Sequence, residues 1–221
     1  MPAHLLWNGP KKSPLTVALA HGAGAPMDTP FMTFFAEGLA KRGYRVARFE
    51  FPYMAARRDS GKRKPPDRQP ALLDTWRAVI DEIGADDLVI GGKSMGGRMA
   101  SLIADEAGVR GLLCLGYPFY GAGRKDKPRT EHLLKLKTRT LICQGKRDPM
   151  GDFDTVKKLK LAKSIRIHWA EDGDHDLKPR NSAGVGRPLK NGAPSRAGVT
   201  HDQNLTSALD AAEAFLAALA K

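Results

Sequence analysis

Ser94 lies in the stretch LVIGGKSMGGRMAS, residues 88–101, whose residue types and spacing suit nucleophilic catalysis. The apolar run before the serine predicts a buried strand and the pattern after it predicts a helix, which leaves Ser94 at a tight turn. The spacing of Gly92 and Gly96 around the serine is that of a nucleophile elbow, where a strained turn lifts the hydroxyl above the sheet edge. Glycine at both positions removes side chains that would collide across so sharp a turn, and Gly97 extends the clearance.

The same glycine-rich turn is also compatible with a helix N-terminus that binds phosphate. In this chain the lysine precedes the serine and the Walker spacing is absent, so the phosphate fingerprint fits poorly. The nucleophile interpretation is therefore preferred, and it requires a base and an acid elsewhere in the chain.

A serine nucleophile needs a base to take its proton and an acid to orient that base. After a nucleophile elbow the acid comes first along the chain and the histidine second. Asp148 follows the predicted strand TLICQG in the turn at residues 146–149, and His175 follows the last predicted strand in the sequence EDGDHD. Both positions lie just past strand ends, so Asp148 is the predicted acid and His175 the predicted base.

Other residues fit these roles less well. His168 falls inside a predicted strand, where a core or face histidine is the simpler interpretation, and His201 lies in a polar run. His21 stands beside a glycine-rich loop and is predicted to shape its turn. The aspartates within residues 172–176 crowd His175 along the chain, but neighbours in one loop seldom reach the far nitrogen of the ring, which favours the acid after the preceding strand.

Backbone donors for a developing oxyanion are predicted at two places. In acyl transfer they are typically the amide after the nucleophile and one from the first strand-to-helix loop. Met95 supplies the first amide. The loop at residues 21–25 reads HGAGA, and its glycines allow an amide to turn inward, so Ala23 is the second predicted donor.

The elements that must position these groups alternate along the chain. The apolar and amphipathic patterns predict strands over residues 4–8, 15–20, 44–51, 88–93, 111–119, 139–145 and 164–170, and helices over residues 30–43, 71–83, 99 onward, 132–136 and 205–219. Thr29 is the predicted N-cap of the first helix, with Pro30 at its first position. The basic, proline-rich residues 53–70 are predicted to form a long loop. This alternation predicts an α/β fold with a mainly parallel, doubly wound sheet and helices on both faces, with active groups at the strand carboxyl ends.

Length and composition predict one domain spanning residues 1–221. Cys114 and Cys143 lie in apolar runs, where a thiol behaves as a small hydrophobe, so a disulfide framework is not expected. No apolar run has the length of a signal peptide or of a membrane span. We therefore expect a soluble, cytoplasmic protein.

The formal net charge of +12 is concentrated in three stretches, residues 57–68, 124–129 and the acid-free 178–196. Such charge is compatible with nucleic acid or with an acidic surface as a partner. No RNA-binding aromatic motif, zinc pattern or helix-turn-helix accompanies it, so nucleic-acid binding is not expected and solvated loops are the simpler interpretation. The functional alternative is that the basic stretches favour an anionic acyl substrate.

Four stretches taken together resemble a known family: FEFPYMAARR (49–58), GKRKPPDR (61–68), GGKSMGGRMAS (91–101) and DGDHDLKPR (172–180). Over essentially its whole length the chain resembles the α/β-hydrolase superfamily, and its small size and HGAGA loop are similar to the compact dienelactone hydrolase-like group. More narrowly, it resembles a branch of small hydrolases whose eukaryotic relatives include a subunit of the non-specific lethal histone acetyltransferase complex and a testis-expressed protein.

The resemblance implies an eight-stranded hydrolase sheet and places Ser94, Asp148 and His175 on the family triad. The predicted serine mechanism needs no metal and no organic cofactor. Dienelactone hydrolases proper use a cysteine nucleophile where this chain has Ser94, so their lactone specificity does not carry over. The short stretch after Phe119 leaves no room for the lid domain of larger relatives, so the pocket is expected to be open or roofed by residues 53–70.

These observations predict a serine hydrolase for an ester or related acyl bond, with Ser94 as nucleophile, His175 as base and Asp148 as the orienting acid. The alternative is an interaction module that keeps the fold without catalysis and binds a partner through its basic loops, because a fold does not guarantee a chemistry. The expected partner of the enzyme is a small-molecule acyl substrate, with an anionic one as an option.

Overall fold

The computed structural model describes residues 4–180 and 198–221. Its strands are β1 (Leu6–Asn8), β2 (Thr16–Ala20), β3 (Arg45–Phe49), β4 (Leu88–Lys93), β5 (Gly111–Leu115), β6 (Tyr120–Gly121), β7 (Arg124–Pro128), β8 (Thr140–Gly145) and β9 (Ile165–Ala170). Its helices are α1 (Pro30–Lys41), α2 (Pro52–Ser60), α3 (Gln69–Ile83), α4 (Met95–Ala107), α5 (Phe153–Val156) and α6 (His201–Leu219), and a 3₁₀ turn covers Glu131–Leu134. None of these helices has both the length and the apolar character needed to cross a membrane.

Seven of the described strands form one sheet in the order β1-β3-β2-β4-β5-β8-β9. Neighbouring strands run parallel except at one edge, where β1 is antiparallel to β3. The predicted α/β class with a mainly parallel sheet is confirmed. The strand count differs from the eight that the resemblance implied, because β6 and β7 pair with each other in a separate two-stranded ribbon.

Helices cover both faces of the main sheet. One face packs against α3 and α4, where Trp76 and Ile103 are buried together with Ile90 of β4. The other face packs against α1 and α6, where Phe35 is buried together with Val89 of β4. Adjacent residues of a pleated strand face opposite layers, so β4 must be apolar on both sides, which explains its continuous apolar run.

Residues 53–70 are not wholly a loop, because α2 occupies Pro52–Ser60. Proline suits the first helical position, where its fixed φ fits the helix and its missing N–H is not needed. The helix ends at Gly61, whose φ of 66° is left-handed. The loop prediction is wrong over this part because a proline that ends one strand can also begin a helix.

The strand predicted over residues 111–119 ends at Leu115. It ends there because Gly116 turns the chain with a φ of 67°. The ribbon of β6 and β7 follows, although its charged sequence gave no strand signal. The ribbon and the 3₁₀ turn fill the connection from β5 to β8, so the described residues hold no separate lid domain at this point.

Capping side chains set the start of both helices on one face. The Thr29 hydroxyl accepts a hydrogen bond from the Met32 amide at 3.3 Å, and Pro30 is the first residue of α1, as predicted. Helix α6 begins at His201, earlier than predicted, because Thr200 and Gln203 form a reciprocal capping box.

Cys114 and Cys143 are both buried free thiols, as predicted. Burial raises the pKa of both groups, and that of Cys143 reaches about 12. The nucleophilic thiolate is therefore disfavoured at both positions, which leaves the cysteines as packing residues.

Candidate active site

Ser94, His175 and Asp148 meet at the carboxyl edge of the sheet. Ser94 Oγ lies 2.8 Å from His175 Nε2, and His175 Nδ1 lies 2.7 Å from Asp148 Oδ2. Ser94 follows β4, Asp148 follows β8 and His175 follows β9, so the parallel strands deliver all three to one edge. The structure thus brings the three predicted residues together in an arrangement that can pass a proton from a hydroxyl to an imidazole.

The turn at Ser94 is strained, with φ 51° and ψ −116°. A Cβ on Gly92 would lie 2.0 Å from the Ala20 carbonyl oxygen, and a Cβ on Gly96 would lie 2.5 Å from the same atom. The two glycines are therefore needed because the elbow packs directly on the end of β2, and not chiefly because they crowd each other, as the sequence suggested. Gly97 does clear the turn itself, since its Cβ would lie 2.6 Å from the Gly92 carbonyl oxygen.

Asp148 is fully buried and its carboxylate accepts three hydrogen bonds. Oδ1 accepts from the Met150 amide at 2.8 Å, and Oδ2 accepts from Gln144 Nε2 at 2.8 Å in addition to the His175 imidazole. These bonds fix the orientation of the carboxylate, and a fixed carboxylate can hold the neighbouring imidazole in one orientation.

Gln144 is a site residue that sequence reasoning missed. It is fully buried near the end of β8, its Nε2 also donates to the Gly151 carbonyl at 3.0 Å, and its Oε1 accepts from the Tyr117 amide at 2.7 Å. Bonds at both ends fix the orientation of the amide that faces Asp148. The available signal was a lone amide in the apolar strand TLICQG, because a buried amide must find partners.

The loop after β9 carries His175 and lies directly on the sheet edge. A Cβ on Gly145 of β8 would lie 2.1 Å from the Asp174 carbonyl oxygen. On the other side, Asn204 of α6 donates to the Leu177 carbonyl at 2.9 Å. Leu177 has a positive φ of 61°, a conformation that persists where the surroundings fix it. The predicted base is therefore held between the edge of the sheet and the last helix.

The two predicted oxyanion donors flank the serine. Met95 is the first residue of α4, so its N–H has no carbonyl partner within the helix. A Cβ on Gly22 would lie 3.6 Å from the Ser94 Cβ, which shows how close the HGAGA loop comes to the elbow. The Ala23 carbonyl accepts from the Tyr53 hydroxyl at 2.9 Å, which fixes this part of the loop. Their role as oxyanion donors stays a prediction.

His21 shapes the HGAGA loop, as expected. Its Nε2 accepts from the Phe51 amide at 3.1 Å, so its Nδ1 carries the proton and donates to the Gly22 carbonyl at 2.6 Å. Burial lowers the pKa of His21, which favours the neutral ring that both bonds require. With both nitrogens engaged, His21 is not available as a base.

The remaining candidates make other contacts. His168 Nε2 lies 3.2 Å from a serine hydroxyl of α6, and His201 Nε2 donates to the Asp176 carbonyl at 3.0 Å. Asp172 pairs with Arg180 at 2.8 Å. His201 and Asp172 support the loop around His175, and none of the three residues takes the place of the predicted acid or base.

A cavity of about 400 Å³ opens beside the serine hydroxyl. It is lined by Gly22, Ala23, Gly24, Ala25, Pro26, Thr29, Pro30, Phe31, Met32, Lys93, Ser94, Met150, His175 and Asp176. The wall is mostly apolar or backbone, and its charges come from Lys93 and Asp176. Among the described residues, no group of three or more His, Cys, Asp or Glu side chains is arranged to hold a metal ion.

Residues 53–70 do not contribute to this lining, so of the two expected arrangements, an open pocket or one roofed by these residues, the roof is absent. Helix α2 instead packs behind the HGAGA loop through the Tyr53 hydroxyl. The basic stretches 57–68 and 124–129 also lie outside the lining. Most of the third stretch, residues 181–196, lies outside the described residues.

Comparison with known proteins gives a consistent picture. A family model described as an alpha/beta hydrolase domain matches residues 13–217. The chain is similar to a protein of Rattus norvegicus named "Putative protein-lysine deacylase ABHD14B", with 27% identity over 162 residues, covering 72% of this chain and 74% of the relative.

Two solved structures share the fold. One is an alpha-beta serine hydrolase homologue from Coxiella burnetii, with 19% identity and a TM-score of 0.64, covering 78% of this chain and 83% of that one. The other is XC6422 from Xanthomonas campestris, described as an a/b serine hydrolase without lid, with 21% identity and a TM-score of 0.62, covering 78% of this chain and 80% of that one.

Proposed function

Since the chain belongs to the alpha/beta hydrolase domain family, we propose that it is a serine hydrolase that cleaves an ester or related acyl bond. The observation that carries the proposal is the continuous hydrogen-bond chain from Ser94 Oγ through the His175 imidazole to the buried Asp148 carboxylate. Serine hydrolase neighbours of the same fold support it.

In the proposed mechanism, Ser94 Oγ attacks the acyl carbonyl while its proton passes to His175 Nε2. Asp148 holds the imidazole with Nδ1–H towards its own carboxylate and stabilises the imidazolium that forms. The amides of Met95 and Ala23 donate to the tetrahedral oxyanion. The imidazolium then protonates the departing alcohol or amine, and a water molecule activated by the same histidine releases the acyl group from the serine.

The cavity favours a compact acyl group. Its volume of about 400 Å³ lies near the small end of the range of roughly 300–1,000 Å³ for ligand sites. Phe31, Met32 and Met150 supply apolar wall, and the two charged lining residues, Lys93 and Asp176, form an ion pair at 2.9 Å. A small acyl group with little charge therefore suits the cavity itself.

An anionic substrate remains an option through the basic stretches outside the lining. Rates on anionic and neutral esters of equal chain length, compared at low and high salt, decide between the two. A preference for the anionic ester that weakens with salt supports a role for these stretches, and equal rates at all salt concentrations remove it.

Relatives suggest narrower substrate classes. The rat relative is named as a protein-lysine deacylase, so the amide bond of an acylated lysine is a second bond to test. Rates on an acetyl-lysine peptide and on p-nitrophenyl acetate compare amide with ester hydrolysis. We also propose that the chain belongs to the compact dienelactone hydrolase-like group, in the branch that includes the non-specific lethal complex subunit.

A fluorophosphonate probe tests the nucleophile directly. The wild-type protein should be labelled and Ser94→Ala should not, whereas Ser60→Ala, which removes an exposed hydroxyl of α2, should be labelled like the wild type. Equal labelling of wild type and Ser94→Ala would remove Ser94 from the mechanism. A folded wild-type protein that stays unlabelled and hydrolyses no acyl substrate would favour the interaction module that lacks catalysis.

A further inference from the structure

Lys93 carries a buried ammonium group at the end of β4, directly before Ser94. Its side chain is 11% exposed, and Nζ pairs with Asp176 Oδ1 at 2.9 Å. Nζ also donates to the carbonyl oxygen of His175 and lies 4.9 Å from the centre of the Phe31 ring, within the range of a cation–π contact. The ammonium therefore connects the strand that carries the nucleophile to the loop that carries the base.

Gly116 and the His175 carbonyl pack closely around this ammonium group. A Cβ on Gly116 would lie 2.9 Å from Lys93 Nζ and 2.6 Å from the His175 carbonyl oxygen. Burial of an ammonium group costs several kcal/mol unless good partners compensate for it. Here the compensating oxygens both belong to the loop after β9, so the charge of Lys93 is satisfied only when that loop is in place.

Other anchors hold this loop nearer its ends. Asn204 donates to the carbonyl oxygens on either side of the loop, and Arg147 donates to the carbonyl of Asp172 at 2.8 Å. Among the described residues, Lys93 is the one whose side chain bonds to the main chain of His175 itself. A shift of that carbonyl would move the imidazole directly.

We propose that Lys93 is a positioning residue that keeps the His175 imidazole within hydrogen-bond reach of Ser94 Oγ by holding the His175 carbonyl and the Asp176 carboxylate. The inference rests on the proposed hydrolase function, because it is measured through acyl transfer. Lys93 acts through the loop and takes no part in bond making or proton transfer.

The variant Lys93→Met removes the ammonium and keeps most of the side-chain volume. We expect kcat for p-nitrophenyl acetate to fall about 100-fold with little change in KM, because a displacement of ~1 Å in a reacting group costs about that much. Asp176→Asn retains the lysine bond to the His175 carbonyl and should lose less. Lys157→Met removes an exposed lysine just after α5 that lies outside the cavity lining, and its kcat should match the wild type.

The pH profile separates positioning from general stability. The groups that face the ammonium are Asp174, His175 and Asp176 of the loop and Asp148 beyond β8. Burial lowers the pKa of Lys93 from its ordinary value of 10.5. Loss of its proton removes the ion pair, so wild-type kcat should fall as the pH rises towards this pKa, and Lys93→Met should lack that alkaline fall.

Two results overturn the inference while leaving the hydrolase proposal intact. One is a folded Lys93→Met with wild-type kcat and a wild-type alkaline fall. The other applies if Lys93→Met does not fold: a folded Asp176→Asn whose kcat and pH profile both match the wild type. A folded wild-type protein that neither reacts with fluorophosphonate nor hydrolyses an acyl substrate refutes the hydrolase proposal, and the positioning role falls with it.

Discussion

Two of the serine–histidine pairs in the described part of the chain have the same distance but different surroundings. Ser94 Oγ lies 2.8 Å from His175 Nε2, and Ser101 Oγ lies 2.8 Å from His132 Nε2. Both serines belong to the elbow and its helix α4. A short serine–histidine distance alone is therefore not a criterion for a nucleophile.

The second pair lacks every other feature of an activated serine. Ser101 is 2% exposed, its hydroxyl donates to the Arg98 carbonyl at 2.7 Å, and the Tyr117 hydroxyl completes the cluster at 2.9 Å. Burial and the nearby Arg98 charge lower the pKa of His132 to about 4, so its ring is a weak base. The histidine of the first pair instead contacts the carboxylate of Asp148.

The difference between the two serine–histidine pairs comes from the position of Ser94 at the edge of the sheet. Ser94 is raised on a strained backbone beside a cavity, and its histidine is backed by a buried carboxylate. Ser101 sits in a regular helix, where its cluster ties α4 to the segment that follows β5 and to the 3₁₀ turn. We interpret the first pair as catalytic and the second as structural.

Loss of the histidine should affect the two pairs in opposite ways. His175→Ala should reduce kcat/KM for p-nitrophenyl acetate by roughly 10⁴-fold or more, as in other enzymes that lose a triad member. His132→Ala should retain activity within about threefold and should instead lower the free energy of unfolding by about 1–3 kcal/mol, because Ser101 and Tyr117 lose a buried partner. Steady-state kinetics and urea titration measure the two effects, and a His132→Ala enzyme as inactive as His175→Ala would refute the distinction.

The pH dependence of the unfolding free energy should also reveal the lowered pKa of His132. The pKa of His132 is about 4 in the folded protein against 6.5 for an ordinary histidine. Between pH 6.5 and pH 4 the unfolded chain therefore binds a proton at His132 that the folded protein does not bind. The free energy of unfolding should fall as the pH falls across this window, by up to roughly 3 kcal/mol from His132 alone.

The replacement His132→Asn removes this titration. Urea titrations at pH 7 and pH 4.5 should therefore show a smaller loss of unfolding free energy on acidification in the variant than in the wild type. Equal losses in the two proteins would show that His132 is not kept neutral by the fold.

The smallest effect is expected for Ser101→Ala. The Tyr117 hydroxyl and His132 Nε2 lie 3.1 Å apart and still form a hydrogen bond in this variant, so each retains a partner. The cost should be about 1 kcal/mol of unfolding free energy, with fluorophosphonate labelling unchanged. A loss of labelling would mean that the cluster controls the elbow and would weaken its assignment as structural.

Much of this arrangement could be predicted from the sequence because local chemistry specified it. The glycines around Ser94 are required by close packing on β2, and that requirement is visible as a spacing in one short stretch. Asp148 and His175 could be located because both directly follow apolar strands, and parallel strands share one carboxyl edge. Their catalytic roles, and the single domain over residues 1–221, remain predictions.

What could not be predicted depends on contacts between distant parts of the chain. Gln144 and Lys93 look like the polar ends of buried strands, and their partners are settled only when β4, β8 and the loop after β9 are assembled. The sequence pattern did not predict helix α2, because Pro52 both ends the preceding strand and begins the helix. The ribbon of β6 and β7 pairs through its backbone, so its charged side chains carried no strand pattern.

The position of β9 at the margin of the sheet has a consequence for how turnover can change. Ser94, the proposed nucleophile, follows a central strand, whereas His175, the proposed base, follows the outermost strand and depends on Asn204, which bonds to the carbonyls of Glu171 and Leu177. A substitution at Asn204 can therefore change the distance between hydroxyl and imidazole without replacing any residue of the cavity lining. In the proposed mechanism, turnover would respond to changes in the last helix, and substrate preference to changes in the cavity wall.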